Sequence, residues 1–246
     1  WLNHLGANVV GIALDPPTEP SHFSALELND EINDLRVDIR DRDTLESVIG
    51  DAEPDFVFHL AAQALVRASY DDPIDTWNTN TMGTLHVLEA LRKLKKKCSA
   101  VIITSDKCYD NVEWIWGYRE NDKLGGEDPY SASKGCAELV AKTYMKSFFK
   151  EGNTYVATAR AGNVIGGGDW AVDRIIPDCI RAIQADQPIR LRNPLASRPW
   201  QHVLEPLSGY LTLGAALADD IGLQGESFNF GPTPGVSKTV RDVIHD

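Results

Sequence analysis

The chain has 246 residues, 43% of them hydrophobic, which suits one large α/β domain or a domain plus a small lobe and is too apolar for a disordered chain. A formal net charge of −12 excludes a surface built for nucleic acid or an anionic membrane, since both need a basic face; a few local arginines can still hold an anionic small molecule. No apolar run reaches membrane-spanning length. Cys98, Cys108, Cys136 and Cys179 lack C-x-x-C spacing, so they read as reduced thiols of a cytoplasmic chain, and no metal site is expected.

In chain order, Trp1, Leu2 and Leu5 at helical spacing before Gly6 predict the tail of a helix with a glycine cap. Strands are predicted over 9–14, 35–37, 56–60, 100–103 and 155–159, with helices over 42–49, 76–94 and 131–150 between them. Asp128-Pro129 supplies the last helix with a cap and a first-turn proline. This alternation predicts an α/β fold built on a doubly wound parallel sheet of Rossmann type. From Gly166 the pattern loosens into short helices, turns and prolines, which predicts a smaller C-terminal lobe.

Such sheets bind ligands at the carboxyl ends of their strands. Asp15 ends the first predicted strand, where an acid accepts hydrogen bonds from dinucleotide ribose hydroxyls and repels a 2′-phosphate; equally, it can begin a turn before Pro16-Pro17. Asp38 and Ile39 follow the second strand, placed to meet an adenine's amino group and ring face. Leu60, Ala61 and Ala62 follow the third in a loop of mostly small residues that admits a ligand to the backbone. In register at successive strand ends, these positions favour bound NAD. The expected division is an NAD-binding domain over 1–165 and a substrate lobe over 166–246, with a late strand at 227–230 able to return to the sheet. The glycine-rich turn of a dinucleotide unit lies roughly 20 residues before the acid. Counting back from Asp15 passes Trp1, so that turn and its strand are expected outside this chain.

Tyr130 and Lys134 stand four apart at the start of the 131–150 helix pattern and so share a face. An ammonium beside a phenol favours the phenolate, which makes a base from a group that ordinarily titrates near ~10. Just upstream, Val101-Ile102-Ile103 reads as a buried strand tipped by Thr104, Ser105, Asp106 and Lys107. His59, on an apolar strand, reads as a satisfied core histidine.

The chain resembles the extended short-chain dehydrogenase/reductase superfamily over essentially its whole length. The resemblance is carried by His59-Leu60-Ala61-Ala62-Gln63, Asn80-Thr81-Met82-Gly83-Thr84, Thr104-Ser105-Asp106, Tyr130-Ser131-Ala132-Ser133-Lys134 and Arg160-Ala161-Gly162-Asn163-Val164-Ile165-Gly166. Thr104 through Asn111, Trp116 through Asn121, Gly166 through Trp170 and Arg198 through Pro206 are similar to the nucleotide-sugar dehydratases that take a CDP-linked hexose. The family implies a glycine-rich turn upstream and a further lobe segment downstream. It also implies a homo-oligomer formed through helices like those at 76–94 and 131–150, and a role in deoxysugar biosynthesis for surface polysaccharides such as O-antigen.

The implied reaction oxidises sugar C4, loses water across C5 and C6, and returns hydride to C6. In it Tyr130 is the C4 base, Lys134 holds it ionised and grips the nicotinamide ribose, and Ser105, or alternatively Thr104, holds the same hydroxyl. Asp106 suits the acid if kept protonated. Many related dehydratases carry glutamate where this chain has Lys107, which serves either as the C5 base or as an electrostatic stabiliser of the enolate. Arg192 and Arg198 are the expected pyrophosphate ligands and Asn163 a donor to phosphate or sugar, with Arg67 either beside them or solvated. Trp114, Trp116 and Tyr118 form an aromatic insert that reads as a lid or a hydrophobic plug. A simple nucleotide-sugar 4-epimerase shares Tyr130 and Lys134 but has no use for Asp106-Lys107. A non-catalytic fragment is the third alternative.

Overall fold

The computed structural model describes residues 1–219, 221–233 and 238–245. Six strands carry the architecture: β1 (Val10–Ala13), β2 (Asn33–Arg36), β3 (Phe56–His59), β4 (Cys98–Ile103), β5 (Thr154–Ala161) and β6 (Ser227–Phe230). β3, β4, β5 and β6 pair in that order, all parallel, with His59 opposite Ile102, Ile103 opposite Ala159 and Thr158 opposite Ser227. β1 and β2 form a separate parallel pair. β1 and β3 share no ladder among the described residues, but Ile12 and Val57 pack against one hydrophobic cluster, so both sheets rest on a common core.

Helices cover both faces, as parallel pairing requires. On one side lie α1 (Arg42–Ala52), α2 (Gly83–Arg92) and α3 (Pro129–Ser147), which bury Leu45, Ile49, Leu88, Leu91, Ala141 and Met145 against Ala100, Ile102 and Val156. The alternate residues Val101, Ala157 and Ala159 face the other way. There they meet Tyr210, Leu213 and Leu217 of α5 (Leu204–Asp219), spaced at the helical period, while α4 (Ile175–Gln184) lies in the segment before it. Leu88 and Leu91 are fully buried, each worth ~1.5–3 kcal/mol of transfer free energy.

Local chemistry sets the ends. Asp41 caps α1 through the Thr44 amide, and Asp128 caps α3 through the Ser131 amide with Pro129 in its first turn. The expected helix over 76–94 is instead a helix from Pro73–Trp77, a π turn over Asn78–Met82, and α2. Asn80 in that turn accepts from the Gln63 amide and donates to the Gln63 carbonyl and Ser133 Oγ, tying the loop after β3 to α3.

Two expectations change. Residues 2–6 form turns rather than a helix tail, with Leu5 63% exposed, although Gly6 does take a left-handed φ of 84°. The region after 165 is also not wholly a separate lobe: the strand at 227–230 returns to the sheet edge as expected, and α5 in addition covers the sheet's second face. What does cover the sheet end is held by two short pairings, Val164–Ile165 with Gln201–His202 and Ser197–Arg198 with Lys238–Thr239. Of the expected lobe over 166–246, residues 220, 234–237 and 246 lie outside the described residues.

Candidate active site

Because β3, β4 and β5 run in parallel, their carboxyl ends meet at one edge, and a cavity of about 700 Å³ opens there. Leu60, Ser105, Asp106, Lys107 and Tyr130 line its floor; Asn163, Arg192 and Arg198 line its cover, together with Arg67, Asp173 and Arg174. Ser105 caps a short 3-10 turn over Asp106–Cys108, accepting from the Lys107 amide at 3.2 Å. That turn sets Asp106 and Lys107 beside one another at the strand tip. Ser105 also donates to Asp106 Oδ1 at 3.1 Å.

Charge in this floor is governed by burial. Burial pushes the Asp106 carboxyl up, against the Ser105 hydrogen bond and the positive charges of Lys107 and Arg198, which pull it down. Burial likewise pushes the Tyr130 phenol up, and Ser105 and Arg174 are the groups that most favour its ionised form. Lys134, 5% exposed, is pushed down to about 8 by burial, with Glu138 opposing. Lys134 lies one turn along α3 from Tyr130, as the spacing predicts, behind the cavity lining, and its side chain makes no hydrogen bond or ion pair among the described residues.

Small residues permit the close approach of these elements. A side chain at Gly135, next to Lys134, would stand 2.9 Å from the Gly125 carbonyl oxygen and 3.3 Å from that of Cys108. At Gly162 it would collide with Pro199 and approach Asp106 Oδ2 to 3.2 Å.

The profile of the GDP-mannose 4,6 dehydratase family matches residues 4–230. A CDP-glucose 4,6-dehydratase of Salmonella typhimurium is 51% identical, over 99% of this chain and 69% of that protein. The chain belongs to the GDP-mannose 4,6 dehydratase family. Among solved structures, a UDP-glucuronic acid 4-epimerase from Bacillus cereus, in complex with UDP-glucuronic acid and NAD, superposes with a TM-score of 0.83 at 25% identity, over 99% of this chain and 75% of that one. A dTDP-glucose 4,6-dehydratase double mutant from Streptomyces venezuelae with NAD and DAU bound gives 0.77 at 22%, over 94% and 68%. The fold is thus the one on which the dehydratases and epimerases of this superfamily are built.

Against that family frame, the expected dinucleotide positions separate. The Asp15 side chain is 92% exposed just past β1, with the Arg36 guanidinium 3.9 Å away. Asp38 is gripped by Arg40, which holds its carboxyl below the usual range. Ile39 is a correction: it is 7% exposed, packed in the core against Gly83, so its side chain is not displayed to an adenine ring. Leu60 lines the cavity and is 51% exposed, whereas Ala61 packs against the core and Ala62 is half-buried outside the lining.

The lid reading of the aromatic insert is a second correction. Trp114, Trp116 and Tyr118 do not line the cavity; Tyr118 stacks on Tyr109 at 5.1 Å between centroids, and Trp114 lies against Tyr118. His59 is a satisfied core residue, 6% exposed and 3.1 Å from Thr84 Oγ1, pushed down to about 3 by burial. Thr104 is spent on Glu138, to which it donates at 2.5 Å, which leaves Ser105 as the hydroxyl facing the cavity. Sequence reasoning missed Asp173 and Arg174. Asp173 bridges Arg67 at 2.9 Å and Arg192 at 3.4 Å across the mouth, and no motif marks it. Arg174 has a buried Nε without a partner, and only its place before an amphipathic helix hints at a cavity wall. Among the described residues no cluster suits a metal ion, and no helix is long and apolar enough to cross a membrane.

Proposed function

We propose that the chain carries the catalytic core of an NAD-dependent hydro-lyase that converts CDP-glucose to CDP-4-keto-6-deoxyglucose. One observation carries the reading: Ser105, Asp106, Lys107 and Tyr130 converge on one cavity, with Asp106 held toward its protonated form. An acid beside a second charged group is what elimination needs and what epimerisation at C4 does not use. The 51% identity to a CDP-glucose 4,6-dehydratase supports the same substrate.

The residues present fit a dinucleotide. Asp15 stands exposed past β1 beside Arg36, and Lys134 is a buried ammonium whose hydrogens no group among the described residues takes up, suited to ribose hydroxyls. When bound, NAD accepts hydride from sugar C4 and later gives it to C6. Tyr130 takes the proton of the 4-hydroxyl, and Ser105 holds that oxygen in line. The resulting ketone acidifies the C5 proton; Lys107 takes that proton and returns it to C5 once hydride has reached C6, or it stabilises the enolate while another group carries the proton out and back. Asp106 gives its proton to the departing 6-hydroxyl, which leaves as water. Arg198 and Arg192 hold the diphosphate in a bidentate fork, with Asn163 donating to a phosphate or sugar oxygen.

We further propose a cytoplasmic homo-oligomer serving deoxysugar supply for surface polysaccharides such as O-antigen. Exposed Ile74, Met82 and Leu139, on helices of one side, support association there. The test is a product assay of purified full-length protein on CDP-, dTDP- and GDP-linked sugars. A 4-keto-6-deoxy product formed best from CDP-glucose is expected; inversion at C4 without that product rejects the reading.

A further inference from the structure

Beneath the floor lies a polar network that the proposed chemistry does not use. Glu138 and Arg160 form an ion pair at 2.6 Å with side chains only 2% and 3% exposed. Glu138 Oε1 accepts from Thr104 Oγ1 at 2.5 Å and Oε2 from Thr158 Oγ1 at 3.0 Å. Arg160 donates to the Tyr109 hydroxyl at 2.8 Å and the Glu120 carbonyl at 2.9 Å. A buried pair of this kind seldom repays its desolvation. Its position shows what it gains: Glu138 follows Lys134 by one turn of α3, and Thr104 precedes Ser105 at the tip of β4.

We propose that Glu138 is a positioning residue that holds the charge of Lys134 and the seat of Ser105 together, by binding the tip of β4 to the helix that carries Tyr130 and Lys134. The neighbours of Lys134 leave this task to Glu138. His59, from the end of β3, is pushed down to about 3 and is neutral; Cys108, from the turn after β4, is pushed up to about 12 and is a thiol. The π turn over Asn78–Met82, also packed on α3, brings only Asn80, Thr81 and other uncharged side chains. Glu138 therefore supplies the negative charge that keeps the proton on Lys134, and Arg160 is its partner in the buried ion pair.

The inference rests on the dehydratase reading, so wild-type product formation is measured first; failure there rejects that reading and not this one. Single-turnover oxidation at C4, followed through reduced-cofactor absorbance across pH, then reads the variants. In E138Q the ammonium loses its counter-charge and gives up its proton at lower pH. The alkaline limb accordingly moves down, and kcat falls ~10-fold or more with KM little changed. E138D keeps the charge and restores the limb. T104V cuts only the tether, lowering the rate ~3–10-fold with the limb unmoved. Should E138Q fail to fold, E138Q/R160M also removes the guanidinium that E138Q strands and is expected to show the same downward limb. A wild-type pH profile in whichever of these variants folds, or a wild-type rate in T104V, overturns the proposal.

Discussion

The floor and the mouth of the cavity handle charge in opposite ways. The layer beneath the floor holds Lys134, Glu138 and Arg160 at 2–5% exposure, with every carboxylate oxygen of Glu138 engaged. At the mouth, Arg67 and Arg192 share Asp173 with their side chains 63% and 65% exposed. Buried charge is costly to assemble and barely reorganises, which suits groups that must meet reacting atoms in one geometry. Exposed ion pairs are worth ~0–1 kcal/mol, so a diphosphate can displace Asp173 at little cost. Under the proposed function the floor and the layer beneath it set the rate, and the mouth sets capture.

Substitutions should divide along that line. Tyr130→Phe removes the base and is expected to lower kcat on the order of 10³-fold without a matching change in KM, seen in steady-state kinetics. Arg160→Met strands the Glu138 carboxylate and should cost ~3–5 kcal/mol in urea unfolding, whereas Asp173→Asn should change stability by less than ~1 kcal/mol. A comparable loss in Asp173→Asn would erase the distinction. Lys107→Ala should still release hydride from C4 yet stall before water loss, lowering turnover ~10²-fold while reduced cofactor accumulates; unchanged turnover removes Lys107 from the chemistry. Smallest is Arg198→Ala, expected to raise KM ~10-fold, more at low salt than at high, with kcat less affected.

Much of this was readable from local pattern. Asp128-Pro129 marked the start of α3, and the β-branched run at Val101-Ile102-Ile103 marked the strand beneath Ser105. The π turn was hidden because its residues continue the apolar period of their neighbours, and only Asn80's bonds to Gln63 and Ser133 distinguish it. Ile39 after a strand reads the same whether it faces a ligand or the core; Gly83 on a helix 44 positions later leaves the room that draws it inward. Aromatic composition likewise could not show that Tyr118 would stack on Tyr109 instead of closing the cavity. Glu138 sits four residues past Lys134 on a helix face that is otherwise apolar or small, a visible signal, but its partners Arg160 and Thr158 come from a different strand.

The central claim is that hydride leaves one carbon of a sugar and returns to another within a single cavity. Labelling CDP-glucose with deuterium at C4 tests it directly in the full-length protein. The account predicts a 4-keto-6-deoxy product with the label at C6. Label kept at C4 of a C4-inverted sugar would contradict it.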